Sequence, residues 1–158
     1  MDATDRALIE ALRSNARASW AELGRVVGMS GPSVTDRVQR LEQTGVITGY
    51  HAAVEPSAVG LSVAALVGVH LTDTSDQDAV TVALGKLEEV EDCWFVAGDE
   101  SFLLKVRVAD VVSLESTLSR LRKIRGVART RTTVVLSTKW ENRGSRSGHA
   151  VSDDSPSW

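Results

Sequence analysis

Apolar residues return every three or four positions from the start of this chain to about position 45, and beyond position 60 stretches with a spacing of two begin. The first pattern is helical. Leu8, Ile9 and Leu12 mark the core side of a helix from about Thr4 to Asn15. Ser19 and Glu22 stand at capping-box spacing, where a hydroxyl and a carboxylate satisfy the free N–H groups of a helix start, and Leu23, Val26 and Val27 give that second helix its stripe. Gly28-Met29 is the turn, since glycine takes the left-handed conformation that ends a helix. Ser30 caps a third helix, with Pro32 in its first turn where no intrahelical N–H is needed. Val34, Val38 and Leu41 point inward, and Gly45 ends it.

Two short helices across a tight turn predict a helix-turn-helix. The face opposite Val34, Val38 and Leu41 carries Pro32, Asp36, Gln39 and Arg40, with Ser33 and Arg37 at its margin. With Ser30 at the cap, these are the candidate DNA-reading residues. A recognition helix puts the N-terminal part of such a face into the major groove; Arg pairs with guanine or phosphate, and Ser or Gln reads base edges. An ordinary helical hairpin with a solvated polar face fits the same periodicity.

Val46 to Val54 is β-rich and punctuated by Gly, which predicts a wing or linker strand that Pro56 interrupts. From Leu61 to Leu71, Val63, Ala65, Val67, Val69 and Leu71 line one face, while Ala64, Leu66 and Gly68 line the other, so both faces of this strand call for cover. After a polar turn, Val80, Ala83, Leu84, Leu87 and Val90 form a helical stripe. Cys93 to Val96 reads as a strand, Gly98-Asp99 opens a hairpin, and Phe102, Leu104, Val106 and Val108 alternate along the next strand. Val111, Leu114, Leu118, Leu121 and Ile124 line a second helix; Gly126 stops it, and Val127 to Leu136 supplies a last strand.

The fold class is therefore α+β: a winged helix-turn-helix domain over residues 1–50, a linker strand over 51–60, and a ferredoxin-like βαββαβ unit over 61–138. Residues 139–158 are rich in Ser, Gly, Asp and Arg without periodicity and read as a disordered tail, with Trp158 unexplained. A sheet with helices on one face leaves the apolar second face of its first strand without a partner. A second copy is the simplest one, in a two-fold dimer through the sheets.

A net charge of -3 argues against nonspecific coating of nucleic acid, which needs a strong basic field, without excluding a specific site. In the first 50 residues Arg6, Arg13, Arg17, Arg25, Arg37 and Arg40 are matched by Asp2, Asp5, Glu10, Glu22, Asp36 and Glu42. A neutral reading head depends on where its arginines point and on several copies binding together. The longest apolar run, near Val63 to Val69, is too short to span a bilayer and no signal peptide precedes the first helix, so a cytoplasmic protein with no membrane partner is expected. The lone Cys93 fits a reducing compartment.

Catalytic chemistry finds little footing. His51, His70 and His149 lie without metal-ligand spacing, so no metal or cofactor is expected. His70 reads as a strand-surface residue, Cys93 as a packed thiol, and Glu88, Glu89 and Glu91 as the solvated end of a helix. The candidate small-molecule site is the hairpin. Gly98 lets backbone approach a ligand, successive N–H groups hold a carboxylate, and Asp99 or Glu100 meets an ammonium group, which suits an α-amino acid. Trp94, Val96 and Phe102 border the side-chain pocket and favour an apolar or aromatic ligand. A plain tight hairpin accounts for the same Gly-Asp pair.

Met1-Asp2, Asp5-Arg6, Leu8-Ile9 and Leu12, then Arg37-Val38, Arg40-Leu41-Glu42, Gly45-Val46-Ile47 and Gly49-Tyr50, then Pro56 and Gly60-Leu61, occur in one order, followed by Val96 to Val106. Together they resemble the Lrp/AsnC, or feast/famine, transcription regulators over nearly the whole chain to about Lys139. The resemblance implies double-stranded DNA as a partner, an amino-acid effector held at the hairpin between neighbouring dimers, and dimers assembled into an octamer. It further implies that the last strand, through Thr130, Thr132 and Thr133, faces the effector. Ser101 stands where many members have Asp, which leaves the identity of the amino acid open. Two alternatives compete: a ligand-independent architectural DNA-binding protein, and a ferredoxin-like enzyme with an accessory helical domain, for which no convergent catalytic groups are found.

Overall fold

A computed structural model describes residues 1–141 of the chain, so the expected disordered tail lies outside the described residues from position 142 onward, Trp158 included. Its first helix, α1 (Ala3–Ser14), starts on a capping box in which the Asp2 carboxylate accepts from the Asp5 N–H at 2.8 Å and the Asp5 carboxylate accepts from the Asp2 N–H at 3.0 Å. The Ser19–Glu22 box opens α2 (Trp20–Val27), and Gly28, at φ 67°, closes it. Ser30 caps α3 (Gly31–Gln43). Leu8, Leu12, Leu23, Val34 and Val38 close a buried cluster, with Val27 and Ile47 packed against it. Val26 is a correction: Leu23 and Val27, four apart, take the core side of α2 and turn Val26 outward to 62% exposure.

No strand lies between α3 and residue 56, so the head is three helices without the expected wing. Gly45 takes the left-handed region at φ 71°, which folds the chain back so that the Val46 and Ile47 N–H groups both donate to the Leu41 carbonyl. Those bonds and the burial of Ile47 use the β-rich residues as a helix terminator. The expected linker strand is likewise absent; Pro56–Val59 form a short 3-10 turn closed by Gly60 at φ 80°.

The second half is the ββ-and-helix unit in the expected order: β1 (Val63–Leu71), α4 (Gln77–Leu84), β2 (Val90–Phe95), β3 (Phe102–Val108), α5 (Val111–Arg122) and β4 (Val127–Val135). The sheet runs β2-β3-β1-β4 with every pair antiparallel. On one face Ala65, Val67 and Val69 of β1 meet Phe102, Leu104, Val106 and Val108 of β3, and Val80, Leu84, Leu114 and Leu121 of the two helices cover them. The α4 stripe is shorter than its periodicity suggests. The helix ends at Leu84, Leu87 packs on the core from the turn, and Val90 already belongs to β2, which starts three residues early and stops at Phe95. Chain contacts divide the molecule at Ala53/Val54, each part having its own core.

Candidate functional site

The helix-turn-helix geometry rests on a residue that periodicity does not single out. A methyl on Gly24, inside α2, would stand 2.5 Å from the Met29 carbonyl oxygen, so only glycine lets the turn close this tightly. The signal available was the Gly24-x-x-x-Gly28 spacing. On α3, Ser30, Pro32, Asp36, Gln39 and Arg40 are exposed and Ser33 and Arg37 half-buried. The Ser30 hydroxyl lies 2.9 Å from that of Ser33 at the helix start.

Arg37 and Arg40 have partners within the head. Arg37 donates to Asp2 and to Asp5, each at 2.7 Å, and Arg40 reaches both Asp5 oxygens at 3.2 Å. The Asp5 side chain is only 2% exposed. Capping N–H groups first, and the Arg37 guanidinium next, hold the Asp2 and Asp5 carboxyls below the usual aspartate range. The same two carboxylates raise the Arg37 guanidinium further. Arg37 thus ties α3 to the start of α1, whereas Ser30, Pro32, Asp36 and Gln39 present their side chains without such a tie. Arg40 is intermediate: paired, yet 58% exposed.

The hairpin between β2 and β3 brings together only part of its predicted set. Register places Trp94 opposite Leu103, on the face away from the helices, but Phe102 opposite Val69, within the core at 2% exposure. Trp94 and Phe102 therefore lie on opposite sides of the sheet and do not border one pocket. The threonines divide in the same way: Thr130 and Thr132 pair with Val69 and Val67 on the helix side, and Thr133 pairs with Leu66 on the open side. Phe95 instead meets Phe102 edge-on, with ring centroids 5.3 Å apart.

At the tip, Gly98 has open space around it, so its lack of a side chain answers no contact within the chain. Val96 is half-buried, and its N–H donates to the Ser101 carbonyl at 3.0 Å to close the loop. Asp99 is exposed and lies 3.7 Å from Arg129, while Glu100 pairs with Arg131. The Ser101 N–H donates to the Val69 carbonyl at 2.9 Å, and its hydroxyl accepts from the Leu71 N–H at 3.3 Å. Arg129, Arg131 and Gly68 are the residues that sequence reasoning missed here.

Other candidate chemistry is reassigned. Cys93 is exposed at the sheet edge instead of packed, and partial desolvation of its thiol pushes it up, away from thiolate chemistry. His70 is buried, with Nδ1 3.4 Å from Arg129. Glu89 pairs with Arg120, and Glu91 belongs to β2, where it holds Lys105 at 2.8 Å and Arg107 at 2.9 Å, so neither is a plain solvated helix end. Among the described residues no group of His, Cys, Asp or Glu is placed to hold a metal, and no helix is long and apolar enough to cross a membrane.

A helix-turn-helix head ahead of a βαββαβ unit defines a DNA-binding transcription regulator and not an enzyme. The chain matches the AsnC-type helix-turn-helix domain over residues 1–42 and the Lrp/AsnC ligand binding domain over residues 64–145. It belongs to the Lrp/AsnC family. It is 42% identical over 143 residues to the HTH-type transcriptional regulator LrpA of Mycobacterium tuberculosis, covering 90% of this chain and 95% of that protein. Among solved structures it is similar to a feast or famine regulatory protein from M. tuberculosis complexed with L-methionine, at 42% identity and a TM-score of 0.84 over 90% of this chain and 96% of that one. A transcriptional regulator from Neisseria meningitidis, also in complex with L-methionine, matches at 25% identity and a TM-score of 0.82 over 89% and 93% of the two chains.

Proposed function

We propose that this regulator is amino-acid-responsive: α3 reads an operator in the major groove, and an α-amino acid received at the 96–101 hairpin alters assembly or DNA affinity. The reading domain comprises residues 1–50, followed by a connecting segment over 51–60 and an effector and assembly domain over 61–138. Ser30, Pro32, Ser33, Asp36, Gln39 and Arg40 carry sequence reading, with Arg37 holding the helix in place. The effector is taken at Gly98 to Ser101, with Trp94 and Val96 beside it and with Thr130, Thr132 and Thr133 offered from the last strand of an adjoining subunit. Copies pair through the open sheet face into dimers, and dimers into octamers.

The observation that carries this reading is the exposed acidic hairpin on a fold whose two relatives above are complexed with L-methionine. Calorimetry with the intact oligomer and the twenty amino acids tests it, together with a gel shift with and without the ligand. Heat of binding and a 5- to 150-fold change in DNA affinity, about 1–3 kcal/mol of coupling, are expected. A Cβ at Gly98 meets nothing of the chain within 4 Å, so Gly98→Ala leaves the chain's own packing intact, and a loss of ligand binding in that variant reports the ligand's approach; Gly98→Val should block it further. The architectural reading has one observation in its favour: Asp99 and Glu100 already have arginine partners within the chain. No heat with any amino acid would decide for it.

A further inference from the structure

We infer that Glu100 is a positioning residue that latches the hairpin onto the open face of the sheet through Arg131, leaving Asp99 as the one carboxylate that meets a ligand ammonium group; the second clause rests on the amino-acid reading above. Gly68 lies on β1, with Arg131 of β4 as its register partner. A methyl on Gly68 would stand 2.6 Å from Glu100 Cγ and 3.0 Å from its Oε1. The Glu100 stem therefore lies flat on a strand position kept bare for it, and its carboxylate crosses to Arg131 on the neighbouring strand. The Glu100 side chain is 16% exposed although it belongs to a loop. Ser101 adds a second tie through its bonds to Val69 and Leu71.

Asp99 differs in its own exposure and in the length of its pair. Its side chain is 77% exposed, against 16% for Glu100, and its pair with Arg129 is 3.7 Å long, while the two arginines are similarly exposed at 67% and 71%. Exposed pairs of that kind contribute little and exchange partners readily. Removing Glu100 from Arg131 would uncover Gly68 and leave the loop held by Ser101 alone, so Glu100 turns to a ligand only at the cost of its own seat on the sheet. A single available carboxylate suits an α-amino acid with one cationic group, in line with an uncharged side chain.

Amide exchange followed by NMR on the intact oligomer without ligand, and titration with L-methionine, test the two clauses separately. Glu100→Gln, Arg131→Gln and Gly68→Ala should each speed exchange of the Ser101 amide by about tenfold, as expected for loss of one charge-assisted bond, while the Val67 amide in the core is unmoved. Gly68→Ala removes no charge, so its agreement with the other two identifies the seat and not only the ion pair. Exchanging the partners, Glu100→Arg with Arg131→Glu, should restore protection. Asp99→Asn should leave Ser101 exchange unchanged and weaken L-methionine binding by about tenfold or more. Unchanged Ser101 exchange in Arg131→Gln and Gly68→Ala overturns the latch. Wild-type affinity in Asp99→Asn overturns the division of roles. If the wild-type protein binds no amino acid, the functional reading and the Asp99 assignment fall together, while the exchange rates still decide the latch.

Discussion

At Gly24 the second helix runs against the turn that follows it, and the contact is with backbone, which cannot swing aside. Gly24→Ala should therefore cost about 1–3 kcal/mol of stability, the usual penalty of overpacking, although alanine is the better helix former; urea unfolding of the head measures it, and a stabilised variant would contradict the geometry. Tyr50 offers a cleaner spectroscopic probe, because it is the only tyrosine in the chain. Desolvation first, and its 2.7 Å hydrogen bond to Glu42 second, push its phenol from 10 up to about 12. A raised folded value means that the neutral phenol is favoured in the native state. Its contribution is thus complete below pH 10 and is lost as pH rises through about 12. Ultraviolet titration should place the tyrosinate midpoint near 12 in the native protein, and Glu42→Gln should move it downward. At this scale the sequence announced the caps, since Ser19-x-x-Glu22 carries its own partner. It did not announce Asp5 as the partner of Arg37, 32 residues away, because polar periodicity does not say which charges meet.

Among the elements, α3 now divides into two kinds of polar residue, and the division is testable. Arg37→Gln should lower the melting temperature of the head and weaken DNA binding for all sequences in proportion to lost folding. Ser33→Ala and Gln39→Ala should leave melting unchanged and relax base preference, by about 1–3 kcal/mol for a good base contact. Gel shifts on operator and scrambled DNA, paired with thermal melts, separate the two outcomes; equal melting of Arg37→Gln and wild type would return Arg37 to the reading face. The elements themselves were largely legible, because helices with caps and strands with strict alternation, such as Phe102 to Val108, declare their period. The wing was not. Val46 and Ile47 have strand-like side chains, but Gly45 before them redirects both N–H groups to Leu41. The hairpin was legible as a turn, but which of its flanking side chains share a face was not. Facing depends on register, and register put Trp94 and Phe102 on opposite sides.

For the whole molecule, the separate cores of the two halves set the expectation for truncation. A chain lacking residues 1–58 should still run as a dimer or larger by light scattering, since the open sheet face, with Leu66 38% exposed at its centre, is retained. A monomer would refute pairing through that face. The arginine accounting in the head has a wider effect. Within the head, Arg37 and Arg40 are already balanced by Asp2 and Asp5. If α3 reads DNA as proposed, these two arginines should add little to counterion release from the duplex, and the salt dependence of binding to arbitrary sequence should be correspondingly shallow. Under the proposed assembly, occupancy of an operator becomes a property of how many heads are joined together, and a ligand that changed the size of the assembly would also change which genes are held.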